Sequence, residues 1–456
     1  MQTLRYALFV LLLTIWAHQS LSAQGNSITT VAGTGQAGFA GDSGPASSAL
    51  LHSPGSVAAD NNGNLYIADL QNERIRKVSI DGKITTVAGT GHRGFSGDGG
   101  LAINASLDMA FNPINAVGYF VYDGGLAVDD AGRVYIADSN NHRIRKIDLD
   151  GVITTIAGTG DFGYVGDGGP AVLAALSFPS NLTIDRVGNI YIADTGNRVI
   201  RKISPDGTIN TAAKGFLSPT GVAVNENGEI YVADPSFNYF GNVFKVDRQG
   251  TVSSISSRVG GEFWTGPRSV AVDPMGNIIA TDTYNNVVVR ISKDERTLTT
   301  IAGGEGPAIP KTLAGPLGVS VDSSGTIYIA DTDNHRVKMI ATPRPTLTLN
   351  SSKYCTGVWQ DPFSDIRATW ILRLENAPPN TPIQLIGISN DLAWEVPAWR
   401  RTRNNGTFSE TGVFAAGNEG EHTIRVRMSG KPLTSDEAGN SLSNTVSFNV
   451  SSCALR

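Results

Sequence analysis

The sequence predicts an all-β protein: a six-bladed β-propeller with an N-terminal strand closing the last blade, followed by an immunoglobulin-like β-sandwich. Three observations carry this prediction. One unit of short apolar runs and polar turns recurs through the first three quarters of the chain. A single piece of that unit stands alone ahead of the first full copy. The composition, 17% charged residues and 52 glycines in 456, favours many tight turns over helices. The formal net charge of −5 is spread along the chain, with no basic stripe to suggest nucleic acid and no acidic tail.

Residues 1–23 come first. A single basic residue, Arg5, precedes the apolar run "YALFVLLLTIW" and polar "AHQSLSA". This is the layout of a secretory signal peptide, with cleavage expected after Ala23. A retained membrane anchor is the alternative, but the run falls short of the ~20 residues that span a bilayer. No second apolar stretch of that length follows, so the expected mature chain is exported, periplasmic or extracellular, and without a membrane span.

The repeat spans about residues 27–341 and has four pieces, each rich in Val, Ile, Tyr and Thr and bounded by Gly, Asn, Asp or Pro. They read like "PTGVAVN" (219–225), "GEIYVAD" (228–234), "HRIRKID" (142–148) and "VITTIAG" (152–158). Such runs are short antiparallel strands joined by tight turns. The second piece occurs six times, ending at Asp69, Asp138, Asp194, Asp234, Asp282 and Asp331. First pieces also number six, but only five fourth pieces follow a third piece. The missing one is at the other end: "SITTVAG" (27–33) matches "KITTVAG" (83–89) almost letter for letter. A row of such sheets leaves bare edges, whereas a ring lets the N-terminal strand pair with residues 335–340.

The units "YIADSNNHRIRKI" and "ITTIAGTG", with the intervening "GFSGDGGLA", resemble the NHL-repeat family, in particular its bacterial and teneurin-type propellers. The resemblance implies a propeller fold. It implies little about activity, because propellers of this kind serve mainly as binding platforms and only sometimes as enzymes.

Strand order gives geometry. Successive strands run antiparallel, so the second-to-third turns and the inter-blade connections are expected on one face, at the mouth of the central channel. The turns carry a recurring Asp, Asn and Arg: Asp69, Asn72 and Arg74; Asp138, Asn141 and Arg143; Asp194, Asn197 and Arg198; Asp331, Asn334 and Arg336. Arg198 sits one position early, read as a shorter turn. Six copies argue for a structural role, with each Asp capping its turn and pairing with the following Arg. His142 and His335 share one repeat position and are read as turn residues, not a metal pair.

Three connections carry inserts: "GFAGDSGPA" (38–46), "GFSGDGGLA" (94–102) and "GYVGDGGPA" (163–171). Asp42, Asp98 and Asp167 are candidates for calcium or a polar ligand, since hard cations favour carboxylate oxygen. The competing reading has Phe39, Phe95 and Tyr164 plugging the gaps between blades while Asp caps a glycine-rich turn. A longer connection, residues 106–125, carries Met109, Phe111, Tyr119, Phe120 and Tyr122, and reads equally as binding element or lid. At the starts of the first strands only Asp123, Asn181 and Arg268 stand out as candidate ligand contacts.

No ring of metal ligands and no nucleophile–base motif is visible. "GDSGP" (41–45) matches a serine-protease string but belongs to the "GDGGP" series. Two functions are therefore carried forward. The favoured one is a secreted, monomeric, non-catalytic binding protein for a protein, glycan or small molecule, with no cofactor unless calcium. The other is a metal-dependent hydrolase or lyase at the channel mouth, like lactonase or amidoglycolate-lyase propellers.

Beyond Pro345 the repeat ends. Residues 346–456 alternate in the manner of about seven short strands, with turn signals such as "APPNTP" and "GNEGEH" between them. Cys355 and Cys453 are the only cysteines and are expected to form a disulfide, worth ~2–5 kcal/mol in an exported domain. Trp370 reads as core, Trp394 and Trp399 as core or carbohydrate-stacking surface.

Overall fold

The computed structural model describes residues 28–109, 124–235, 241–255, 265–304 and 313–341, and the backbone of eight strands between 346 and 450. The expected signal peptide, the linker 342–345, Phe111, Tyr119, Phe120, Tyr122, Asp123, Trp399, Cys355 and Cys453 lie outside the described residues. The chain divides into two compact units, Met1–Ala341 and Thr342–Arg456.

The first unit holds six four-stranded antiparallel sheets, the third of them lengthened by one short added strand. Blade 1 runs Pro54–Ala59, Leu65–Asp69, Arg74–Val78 and Ile84–Ala88. Blades 2, 3, 4 and 5 begin at Leu126, Pro179, Gly221 and Pro267. Blade 6 contributes Pro316–Val321, Ile327–Asp331 and Arg336–Ile340, and takes its outer strand, Ile28–Ala32, from the N-terminus. The closure is in register over Ile28↔Ile340, Thr29↔Met339, Thr30↔Lys338 and Ala32↔Val337. The orphan piece therefore lies where the counting put it.

The second strands explain why the ring must close. In blades 1 to 5 all five residues of "LYIAD" and its variants are buried. A half-exposed strand alternates; a strand covered on both faces does not. Each face packs on a neighbouring blade. Between blades 1 and 2 the shared core holds Tyr66, Ala68, Ile75, Leu107, Met109, Leu126 and Ile136. Across the closing seam Ala32, Leu51, Val57, Ile67, Ala330 and Val337 form the equivalent cluster. Met109, at the start of the long connection, is thus core.

Hydroxyls stitch neighbouring blades together. The residue after the turn Asp donates to the carbonyl of the next blade's leading Pro: Ser139 to Pro179 and Thr195 to Pro219 at 2.7 Å, Thr283 to Pro316 at 2.7 Å, Thr332 to Pro54 at 2.8 Å. The hairpin turns on the opposite face repeat another device. Asp60, for example, accepts the backbone N–H groups of Asn62 and Asn64 at 2.9 and 2.8 Å.

The second unit contains a three-stranded antiparallel sheet, Thr346–Asn350, Ala368–Glu375 and Phe408–Phe414. A second antiparallel sheet is built from Pro382–Ser389, Leu392–Glu395, Gly420–Met428 and Leu442–Val450. Arg400–Arg401 also pairs with Pro382–Ser389. Among the described residues no helix is long and apolar enough to cross a membrane.

Removing residues 24–34 bares the edge of Arg336–Ile340 and opens the closing seam. At ~25 cal/mol per Å² of apolar burial the lost strand is worth a few kcal/mol, so the melting temperature should drop by roughly 5–10 °C. A melt that stays put in differential scanning calorimetry overturns the role given to this strand.

Candidate functional site

The turns come first, since their residues recur. Each runs from the strand-ending Asp through a single 3-10 turn to a residue with left-handed backbone: Glu73, His142, Arg198 and His335, at φ 47°, 53°, 61° and 50°. Arg198 occupies that left-handed position, so the turn of blade 3 has the same length as the others. The expected shorter turn is corrected. The first Gly of "AGTG" passes directly behind this residue: a Cβ on Gly89 or Gly158 would lie 2.2 Å from the carbonyl oxygen of Glu73 or His142. Only glycine fits there.

The Asp–Arg pairing also differs from expectation. Arg74 and Arg143 donate to backbone carbonyls of their own turn and of Thr90 and Thr159. The turn carboxylates of blades 1 to 3 instead meet the arginine seven residues after the Asp. Asp69, Asp138 and Asp194 face Arg76, Arg145 and Arg201 at 3.3, 3.2 and 3.5 Å. In blade 6, where Lys338 stands at that later position, the nearer arginine pairs, Arg336 with Asp331 at 2.9 Å. Asp234 and Asp282 accept backbone N–H groups, from Leu217 and Ser218 and from Thr265 and Gly266.

Arg76, Arg145 and Arg201 are fully buried, and each is clamped by a second carboxylate from the insert ahead of its blade. Asp42, Asp98 and Asp167 approach Nη2 at 2.7, 2.7 and 2.8 Å. Asp42 and Asp167 also accept from Thr86 and Thr211 of the fourth strand at 2.7 Å. Phe39 and Phe95 lie over the guanidinium pairs, 3.9 and 3.8 Å from Arg74 and Arg143. Tyr164 covers Arg201 and Lys214 at 5.2 and 5.5 Å. These rings remain 42–43% exposed, so they roof the arginines instead of plugging a gap.

The inserts start on the loop-rich face, where Asn72, Asn141 and Asn197 donate to Gly38, Gly94 and Gly163. They then descend along the outer edge of the blade. Ser43 N donates to Ile84 O and Ile84 N to Gly44 O, at 2.7 and 3.0 Å. Gly99 and Gly100 do the same at Ile153, and Gly169–Pro170 pairs with the outer strand of blade 3. The expectation that these segments gather at the channel mouth is corrected: they cap exposed edge strands. Their carboxylates are committed to arginine, which is poor chemistry for a cation site.

Asn181 and Arg268 are elsewhere, on the first strands, lining a central cavity of about 20 Å³ with Ser56, Ser180, Thr220 and Ser269. That is room for about one water. The blades meet closely here: a Cβ on Gly125 would lie 2.5 Å from the Asn181 Cα. The hydroxyls are spent between blades, Ser180 on the Thr220 carbonyl at 3.1 Å and Thr220 on that of Arg268 at 3.0 Å. Ser56 and Ser269 accept from Leu126 and Val319. Arg268 also donates to the Tyr284 hydroxyl at 3.2 Å. Among the described lining residues there is no carboxylate or imidazole, and no group of three or more His, Cys, Asp or Glu is placed to hold a metal. The described donor set does not fit a divalent cation, and the candidate Asp123 lies outside the described residues.

Burial pushes the carboxyls of Asp69, Asp138 and Asp194 up to about 6, against the pull of their N–H donors and arginines. A folded value above the ordinary one means the fold holds these protons more tightly than the unfolded chain. Their contribution to stability therefore grows as pH falls from about 6 towards 4 and is lost as pH rises through 6.

Residues 124–147, 216–239 and 313–338 match the NHL repeat. Over 293 residues the chain is 25% identical to human teneurin-1, covering 60% of this chain and 9% of that protein. It is 28% identical over 282 residues to teneurin-3 of Danio rerio, covering 45% and 10%. Over 279 residues it is 25% identical to the chloroplastic protein SUPPRESSOR OF QUENCHING 1 of Arabidopsis thaliana, covering 45% and 26%. The chain thus spans about a quarter or less of the length of these relatives. Among solved structures, a gluconolactonase from Xanthomonas campestris aligns at TM-score 0.48 and 16% identity over 71% of this chain and 92% of that one. A streptogramin B lyase aligns at 0.42 and 13% over 69% and 96%. The class is an all-β, six-bladed propeller. NHL repeats occur in it at three positions, in blades 2, 4 and 6.

The clamp makes a quantitative prediction. Arg145→Met leaves Asp138 buried and unpaired and should cost about 3–5 kcal/mol in urea denaturation at pH 7.5. Asp98→Asn, at the solvated end of the same arginine, should cost under ~1 kcal/mol. Equal losses overturn the assignment of Asp138 as the essential partner. Asp138→Asn should also remove one of the three buried-carboxyl shares of stability gained between pH 7 and 5, leaving those of Asp69 and Asp194.

Proposed function

We propose that this chain is an exported, non-catalytic binding protein. Its propeller presents a protein, glycan or small-molecule ligand surface on the face formed by the second-to-third-strand turns and inter-blade connections. The reading rests on the centre of the ring. Among the described residues the centre offers a cavity of about 20 Å³, and the hydroxyls beside it are already bonded between blades, which favours a surface ligand over a substrate held on the axis. The candidate carboxylates Asp42, Asp98 and Asp167 face the rim and hold arginine. Catalysis at the channel mouth needs polar groups that converge on one volume, and the described residues send theirs to different blades.

The same reading takes the second unit as an immunoglobulin-like sandwich, closed by a Cys355–Cys453 disulfide and acting as spacer or adhesion module. Its two antiparallel sheets support this.

Metal analysis of the purified full chain tests the proposal. Substoichiometric metal, and a melting temperature indifferent to EDTA, are expected. A stoichiometric, EDTA-removable metal that is required for lactone hydrolysis or for lyase turnover overturns it in favour of the metal-dependent enzyme.

A further inference from the structure

The left-handed residue of each turn does more than reverse the chain. In four blades its side chain accepts a backbone N–H from the connection leading into the next blade. Glu73 Oε2 accepts from Met109 at 2.8 Å, and Asn286 Oδ1 from Gly315 at 2.7 Å. His142 Nδ1 accepts from Phe178 and His335 Nδ1 from Ser53, both at 3.2 Å. Phe178, Gly315 and Ser53 each stand immediately before the Pro that opens the next blade. The bond therefore fixes where that blade begins. Arg198, which holds the same position in blade 3, has no acceptor atom in its side chain.

These acceptors respond differently to acid. The Asn oxygen accepts at any pH, and a carboxyl keeps a carbonyl oxygen after protonation. An imidazole nitrogen has one lone pair, and protonation turns it from acceptor into donor. We propose that His142 and His335 make two seams of the ring acid-labile latches, between blades 2 and 3 and between blades 6 and 1. Protonation sets N–H against N–H and frees the start of the following blade. The seams held by Glu73 and Asn286 stay closed.

The surroundings agree with this division. His142 packs edge-on against Phe178 at 4.5 Å and Phe162 at 6.2 Å. Arg143 on its own strand and Asp161 from the connection are the charged groups facing it, and burial followed by Arg143 holds the imidazole below its usual range. His335 meets His52 of the opposing connection edge-on at 5.5 Å, with Asp333 facing it from its own turn and the Asp331–Arg336 pair adjoining. Burial and His335 hold His52 down as well. The depressed imidazole of His142 contributes stability above its unfolded value of about 6.5 and loses it as pH falls below. This sign is opposite to that of the buried turn carboxylates, so a global melt mixes the two effects and a local probe is needed.

Residue-resolved hydrogen–deuterium exchange of the full chain at pH 7.5 and 5.0, corrected for intrinsic rates, separates them. Protection of the Ser53 and Phe178 amides should fall about tenfold on acidification, the equivalent of one hydrogen bond, while Met109 and Gly315 hold theirs. His142→Asn and His335→Asn copy the Asn286 seam, keeping a residue that tolerates the left-handed turn and an acceptor that ignores pH. Each should abolish the acid loss at its own seam only. Equal loss at all four amides, or an acid loss that survives the Asn substitution, overturns the proposal. Should a variant fail to fold, the four-amide comparison in the wild type still decides.

Discussion

A blade of this propeller has no face for water. Its second strand is buried along its whole length in blades 1 to 5, so each sheet depends on a neighbour on either side. A linear array would leave two such faces bare. Closure is thus the condition for any blade to be stable, and the N-terminal strand supplies it by completing blade 6. Small residues follow from the same wedge geometry. The Ala before each turn Asp in blades 1, 2, 3, 4 and 6 is fully buried, and glycines stand where first strands converge on the axis.

Burial on both sides creates a difficulty for polar groups, and the molecule resolves it differently in its two halves. In blades 1 to 3 a buried arginine neutralises the turn carboxylate and is itself neutralised from outside by the insert. One segment thereby serves as counter-ion, cover for the guanidinium and cap for the edge strand. Blade 5 has Val289 and blade 6 Lys338 at the arginine position. There the turn Asp is satisfied by backbone N–H groups, by its Asn and, in blade 6, by Arg336.

The blade count and the closing strand were legible because they need only periodicity and arithmetic. The clamp was less so. In "RIRKI" both arginines fall on one face of a strand by period-2 alternation, and the pattern alone does not say which lies deeper. A signal did exist. Arginine seven residues after the turn Asp occurs in the three blades preceded by a "GD" insert, and is replaced by Val289 and Lys338 in blades 5 and 6. The path of the inserts was hidden for a related reason: sequence order fixes where a connection starts and ends, not that edge-strand hydrogen bonding draws it down the rim. The turn of blade 3 was misread because an arginine in left-handed conformation is uncommon, so Arg198 was aligned with the arginines of the neighbouring turns and not with Glu73 and His142.

These constraints decide which positions of the ring are free to vary. The axis is consumed by hydroxyl and glycine contacts between first strands, and the blade interiors by packing and the arginine clamps. What the fold leaves variable are positions that tolerate exchange without breaching the ring. The left-handed turn residue is not one of them: Glu73, His142, Asn286 and His335 differ in charge but each accepts an N–H that holds a seam. The inserts are such positions, since Phe39, Phe95, Leu101, Tyr164 and Val165 stand exposed there while the arginines beneath them are fixed by salt bridges. On a rigid ring, surface chemistry at those places changes with little cost to folding.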